Sequence, residues 1–456
     1  MFSTLFSLLL ATSFASDLKI SFPVVKYKLE NGLTVLLQED HTVPMVSYHT
    51  WYRVGSRDEK PGVTGAAHML EHMMFKGAKK YSGKDFDRVL HENGITNNAF
   101  TTWDYTGFYE NLPSSKLELM MDMEVDRMRF LTLSPDDLKS ELEVVKEERR
   151  WRIDNNPIGL LRETLFGLAY KKHPYRWPVI GTMKDITDYT SEKLKFFYDT
   201  YYVPNNAVLV LAGDIDIEKT KKLIQKYYGP LVPNPNLPQR TYPQDELPKQ
   251  LKYKVVKGDV QSSTVMIAYP GVASGHPDSF PLDLLAGVLG NGDSSRLYKR
   301  LVYQAQSATS AGAYDMTNAD PGLFIVSASL KPGQSATDAE ILLRREVSKL
   351  KAPNAISEKE LEKSKNQFMK EFVDGIMTID GKAQALAVNE IVFGSYEKLF
   401  TDLEKYRAVT VADLERVARD YLKKERETVA ILEPKNAPRP PEAPAASASP
   451  AQGGGQ

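Results

Sequence analysis

The stretch Gly65-Ala66-Ala67-His68-Met69-Leu70-Glu71-His72-Met73-Met74-Phe75 sets three polar side chains into an otherwise apolar run. At about 100° per residue, a helix through it brings His68, Glu71 and His72 within about 100° of one another. One face then carries two imidazoles and a carboxylate. Apolar residues occupy nearly all of the remaining surface, so the helix is expected to be largely buried. Such polar groups are costly to bury without a partner. Two histidines four residues apart can hold one zinc ion through ring nitrogens. The glutamate between them cannot easily reach the metal as well, but it can reach a water on it. A solvated or paired polar face is the alternative, and the apolar neighbours disfavour it.

Working outward, Val24 to Gln38 reads as two short strands around Asn31-Gly32, a hairpin signal, and Met45 to Val54 reads as a long apolar strand. Helical patterns cover about 64–76, 84–92, 115–131 and 136–151, and a strand-like run from Asn97 to Tyr109 lies between the second and third. Strands and helices mix without strict βαβ alternation, which predicts an α+β fold on an antiparallel or mixed sheet.

The halves resemble each other at a shift of about 220 residues. Thr190-Ser191-Glu192-Lys193-Leu194 lies over Thr410-Val411-Ala412-Asp413-Leu414, Tyr201 over Tyr421, and Gly55 and Asp58 over Gly275 and Asp278. Two similar duplicated domains are expected, at 20–240 and 245–436. Between them, Gly229 to Gln250 holds six prolines and reads as a linker crossed by few contacts. The Pro/Ala/Gly-rich stretch 437–456 is expected to be a disordered tail.

The 456 residues suffice for two or three domains with real cores. With 58 basic and 59 acidic side chains the net charge is −1, so no general field would hold nucleic acid or an anionic membrane. The absence of cysteine excludes disulfides and thiolate ligands, leaving nitrogen and oxygen to hold any metal. Residues 1–16 have the short apolar core and the small residues before a cut that a secretory signal needs, though no basic residue precedes the core. A periplasmic or secreted protein with no integral membrane segment after signal removal is expected.

A catalytic zinc usually takes three protein ligands and keeps a fourth position open. The acidic helix Asp136 to Trp151 is the best source of the third, with Glu141, Glu143, Glu147 and Glu148. Glu141 and Glu148 are seven residues apart and share a face, while Glu147 points about 100° away from Glu148.

His68-x-x-Glu71-His72 is the inverted zincin pattern. The chain resembles the pitrilysin/insulinase-like (M16) zinc peptidases, among them the short two-domain bacterial members related to mitochondrial processing peptidase. The resemblance spans roughly 25–434. It rests on Gly65 to Gly77, on the Glu141 and Glu148 pair, on Asn98-Ala99-Phe100-Thr101 with Asp104 and Thr106, and on His173-Pro174-Tyr175 with Ile180-Gly181-Thr182. It implies two duplicated sheet-and-helix domains of the LuxS/metallohydrolase-like kind and one zinc per chain. By the same resemblance His68, His72 and Glu148 are the zinc ligands, with Glu147 the runner-up to Glu148. Glu71 is the general base, Glu141 orients a ligand, and Asn98, Ala99 and Phe100 form an edge strand that pairs with extended peptide. Zinc-dependent endopeptidase activity on peptides or unfolded chains follows.

The second half departs from the pattern of active relatives. Phe280 to Arg300 contains neither His nor Glu. Val302 stands where those relatives carry the Arg of an Arg/Tyr pair that holds substrate and oxyanion, and no Tyr follows at the expected distance. Arg296, Tyr298 and Tyr303 are the in-chain substitutes. A homologous partner subunit supplying the pair, as in two-subunit members of the family, is the stronger expectation. A non-catalytic scaffold or peptide-binding subunit of the same fold is the competing class.

Overall fold

The computed structural model describes residues 20–436. The expected signal at 1–16 and the expected tail at 437–456 lie outside the described residues.

Two mixed sheets organise the chain. The first contains β1 (Val25–Lys28), β2 (Thr34–Glu39), β3 (Met45–Tyr52), β4 (Thr96–Thr101), β5 (Thr106–Pro113) and β6 (Ala207–Gly213) in the order β1-β2-β6-β3-β5-β4. The β1–β2 hairpin turns at Asn31-Gly32, where Gly32 takes φ +89°. Continuously apolar and fully buried, β6 reads as a central strand, and it inserts parallel to β2 and antiparallel to β3.

The run Asn97 to Tyr109 is two strands rather than one. β4 and β5 pair antiparallel across a turn at 102–105. Thr102 makes that turn without glycine or proline: its Oγ1 accepts the amides of Asp104 and Tyr105, each at 3.1 Å. β4 thereby becomes the edge of its sheet.

The second sheet contains β7 (Lys252–Gly258), β8 (Thr264–Pro270), β9 (Ala308–Met316), β10 (Leu323–Leu330) and β11 (Thr428–Pro434) in the order β7-β11-β8-β10-β9. Apart from β1, it repeats the first sheet strand for strand, and β11 lies parallel to β7 and antiparallel to β8 as β6 does to β2 and β3. The helices before β6 and β11, Ser191–Tyr201 and Val411–Tyr421, both start on a threonine cap and end on a tyrosine. The chain is a duplicated α+β structure.

Each half covers the other's sheet. The helix Pro157–Ala169 lays Leu161, Leu165 and Phe166 on Met266, Ala268, Ile325 and Leu432 of the second sheet. In return the helix Ile379–Phe393 lays Ala383, Leu386 and Ala387 on Leu36, Trp51, Val208 and Val210 of the first. Both sheets are thus buried on two faces, which accounts for their apolar central strands.

The segment between the halves contains neither helix nor strand over 229–251, yet it is strapped down. Arg240 donates to Asp58 at 2.9 and 3.0 Å, Tyr242 donates to the same carboxylate at 2.5 Å, and Asp245 accepts the amides of Lys171, Lys172 and His173. Proline content misleads here, because a linker can be anchored by its side chains. Among the described residues, no helix is long and apolar enough to cross a membrane.

Candidate metal centre

The helix Ala66–Met73 is placed by its own N-terminus. Gly65 precedes it at φ +90°, and a Cβ there would lie 2.3 Å from the carbonyl oxygen of Ile180. The buried Glu59 carboxylate accepts the N–H groups of Gly65 at 2.7 Å and Ala67 at 3.0 Å, satisfying two helix-end donors. Burial nevertheless pushes Glu59 well above the usual carboxylate range. Ala66, Ala67, Met69, Leu70 and Met73 enter the core, which leaves His68, Glu71 and His72 on the remaining face.

Against that face lies the helix Pro135–Arg149. Its Glu148 Oε2 sits 3.5 Å from His68 Nε2 and 3.4 Å from His72 Nε2. One ligand-capable atom from each of the three residues lies within 4.8 Å of the others. Glu147 instead points to solvent with 70% of its side chain exposed, and pairs with Arg150. Glu141 Oε1 lies 2.8 Å from His72 Nδ1, and its Oε2 lies 2.5 Å from Lys76 Nζ.

These donors fit a zinc ion. Glu148 Oε2 is buried with no hydrogen-bond partner, and the cluster offers two imidazole nitrogens and one carboxylate oxygen with no cysteine. Glu141 accepts from the Nδ1 of His72 and so turns Nε2 toward Glu148. Burial and the neighbouring His72 push His68 down to about 4. Burial works against the His72 imidazolium too, but the hydrogen bond to Glu141 and the Glu148 carboxylate 3.4 Å from Nε2 outweigh it and lift that ring to about 9.

Glu71 lies beside the cluster and accepts a hydrogen bond from Thr101 Oγ1 at 2.5 Å. Burial raises its pKa against the opposing effects of Thr101 and His72, which moves it toward the range useful to a general base. Thr101 ends β4, so this carboxylate and the sheet edge are joined directly. On that edge Asn98 is exposed, and Ala99 and Phe100 are half-buried. Phe100 also packs edge-on against Trp51 at 5.0 Å.

The in-chain substitutes for the Arg/Tyr pair are differently placed. Arg296 is held by Glu360 at 2.8 and 2.9 Å and by the Ala355 carbonyl, whereas Tyr303 is exposed. Three contributors to the site were not anticipated from sequence: Thr101, Lys76 and Arg152. Arg152 stands four residues after Glu148, a spacing that places side chains together on a helix, whereas Lys76 lies beyond the end of the motif helix and meets Glu141 of another helix. Thr101 carries no such signal, because it arrives from another element.

Comparison with known proteins agrees with this architecture. Residues 34–183 match the family described as insulinase (peptidase family M16), and residues 188–368 match the peptidase M16 inactive domain. The zinc protease PqqE of Helicobacter pylori is 33% identical over 417 residues, covering 89% of this chain and 92% of that protein. An uncharacterized zinc protease of Bacillus subtilis, YmxG, is 25% identical over 87% of this chain and 95% of its own length. A crystal structure of a protease from Helicobacter pylori superposes with a TM-score of 0.86 at 31% identity, over 91% of this chain and 100% of that one. The periplasmic protease PqqL of Escherichia coli shares the fold at a TM-score of 0.75 and 20% identity, over 91% of this chain and 48% of that one. Motif, duplicated sheets and relatives converge: the chain belongs to the M16 family of peptidases.

Proposed function

We propose that the chain is a zinc-dependent endopeptidase acting on peptides or unfolded polypeptides. The observation that carries this reading is the convergence of His68, His72 and Glu148 beside Glu71, at the end of an edge strand. A zinc ion held by His68, His72 and Glu148 would polarise the scissile carbonyl and acidify a water.

Glu71, with its raised pKa, takes the proton from the attacking water and returns it to the leaving amine. Thr101 fixes the rotamer of Glu71 during this exchange. Glu141 holds His72 in the tautomer whose Nε2 is free. The edge strand at Asn98, Ala99 and Phe100 would pair with an extended peptide through the backbone groups on its outer side, the Ala99 N–H among them, which donates to Asn98 Oδ1 at 2.8 Å. Specificity based on that pairing would be broad, since it reads the backbone.

The Arg/Tyr pair belongs, in this reading, to a homologous partner subunit in a two-chain enzyme. The engagement of Arg296 by Glu360 supports that assignment over an in-chain substitute. Export to the periplasm or beyond is part of the proposal, supported by the apolar stretch at residues 1–16 and by the relative described as periplasmic. A scaffold or peptide-binding subunit is the second reading, favoured by Val302 and by the match to an inactive domain.

The test is bound zinc per chain together with hydrolysis of an unfolded fluorogenic peptide, for wild type and His68→Ala, with and without a co-expressed homologous subunit. One zinc, lost in the variant, and turnover that appears with the partner are expected. Bound zinc with no turnover in any combination would move the assignment to the scaffold reading.

A further inference from the structure

The ligand helix does not simply end at Arg149. It continues into a π turn over Arg150–Asp154, closed by the Asn155 amide donating to the Arg150 carbonyl at 2.7 Å. Such turns are rare and concentrate at functional sites. This one is fixed from beneath, because Ile153 is buried and Arg149 donates to the Gly181 carbonyl at 2.7 Å and bridges Asp154 and Glu163. From it Arg152 reaches back over Glu148, with Nε 2.8 Å from Oε1.

The two oxygens of Glu148 therefore have separate surroundings. Oε1 is ion-paired with the Arg152 guanidinium at 2.8 Å, while Oε2 lies between His68 Nε2 and His72 Nε2 with no hydrogen-bond donor of its own. Glu148 is only 16% exposed, so few waters can compete for either oxygen, whereas Arg152 is 62% exposed and gives the fold little packing. A carboxylate with both oxygens free can bind a metal through both. At a three-residue site, the second oxygen would then fill the position that substrate or water needs.

We infer that Arg152 is a positioning residue that commits Oε1 of Glu148 and leaves Oε2 alone for the metal, so that the fourth coordination position stays open. The inference rests on the reading of His68, His72 and Glu148 as a zinc site. Glu141 restrains His72 in the same manner from the other side.

Cobalt(II) in place of zinc tests this on the full chain, because its visible absorption distinguishes four-coordinate from five-coordinate sites. Wild type should show the intense four-coordinate bands, and Arg152→Ala and Arg152→Gln the weak five-coordinate ones. Arg152→Lys, which keeps a donor at the same spacing, should return toward wild type. The metal-free variants should melt with wild type, since the pair is largely exposed on the arginine side, and kcat should fall at least tenfold with little change in KM. Identical cobalt spectra in wild type and both Arg152→Ala and Arg152→Gln would overturn the inference. A folded wild type that binds neither cobalt nor zinc would overturn it together with the zinc-site reading. A wild type with the expected spectral difference but no peptide turnover would leave the inference standing and remove only the peptidase assignment.

Discussion

His72 and Glu141 are joined at 2.8 Å between Nδ1 and Oε1, across two helices that meet at the cluster. The contact sets which ring nitrogen faces Glu148, and Lys76 holds the far oxygen of the same carboxylate. Glu141→Ala should weaken zinc binding by about 10–100-fold, as loss of such supporting contacts generally does. Competition against a chelator of known affinity measures it. Unchanged affinity would show that packing alone orients His72.

Glu71 is buried, has a raised pKa, and accepts from Thr101. Glu71→Gln keeps an oxygen for that hydroxyl but cannot take a proton. Zinc content should match wild type, while hydrolysis by the complete enzyme falls about 10²–10⁴-fold. A variant that keeps both zinc and turnover would remove Glu71 from proton transfer.

The motif helix could be read from sequence because its burial and its polar face are both local properties of eleven residues. The duplication was legible for a related reason: Thr190 and Thr410 cap helices that end on Tyr201 and Tyr421, and these caps and ends survive a 220-residue shift. The β4–β5 turn escaped detection, since Thr102 closes it through its hydroxyl where glycine, proline or asparagine would ordinarily mark the position. Helical geometry separates Glu147 from Glu148, but only the packing of one helix against another decides which of them meets the histidines. The exchange of covering helices was likewise beyond reach. Nothing local to Leu386 says that its partners are Leu36 and Val208, far away in the chain.

That exchange predicts how the chain unfolds. Leu386 is fully buried against the first sheet although it belongs to the second half. Leu386→Ala should cost about 2–5 kcal/mol of stability. Because each half covers the other's sheet, urea unfolding followed by fluorescence and by circular dichroism should shift together in one transition. A first half that unfolds at the wild-type midpoint while the second is destabilised would contradict the mutual covering.

Asp315, on β9, has both carboxylate oxygens buried without a hydrogen-bond partner. Burial, and then the charge of Asp283, raise its pKa from 3.8 to about 8. The folded state therefore keeps the proton over a range in which the unfolded chain has released it. The direction follows from linkage: this group is neutral in both states below about 4, and stability falls as pH rises from about 4 to about 8, where the unfolded state binds fewer protons. Asp315→Asn removes this dependence. Relative to wild type, the variant should gain melting temperature between pH 4 and pH 8.5, and comparing the two pH values cancels any fixed cost of the amide. A wild-type-to-variant difference that is the same at both values would show that Asp315 is ionised in the fold.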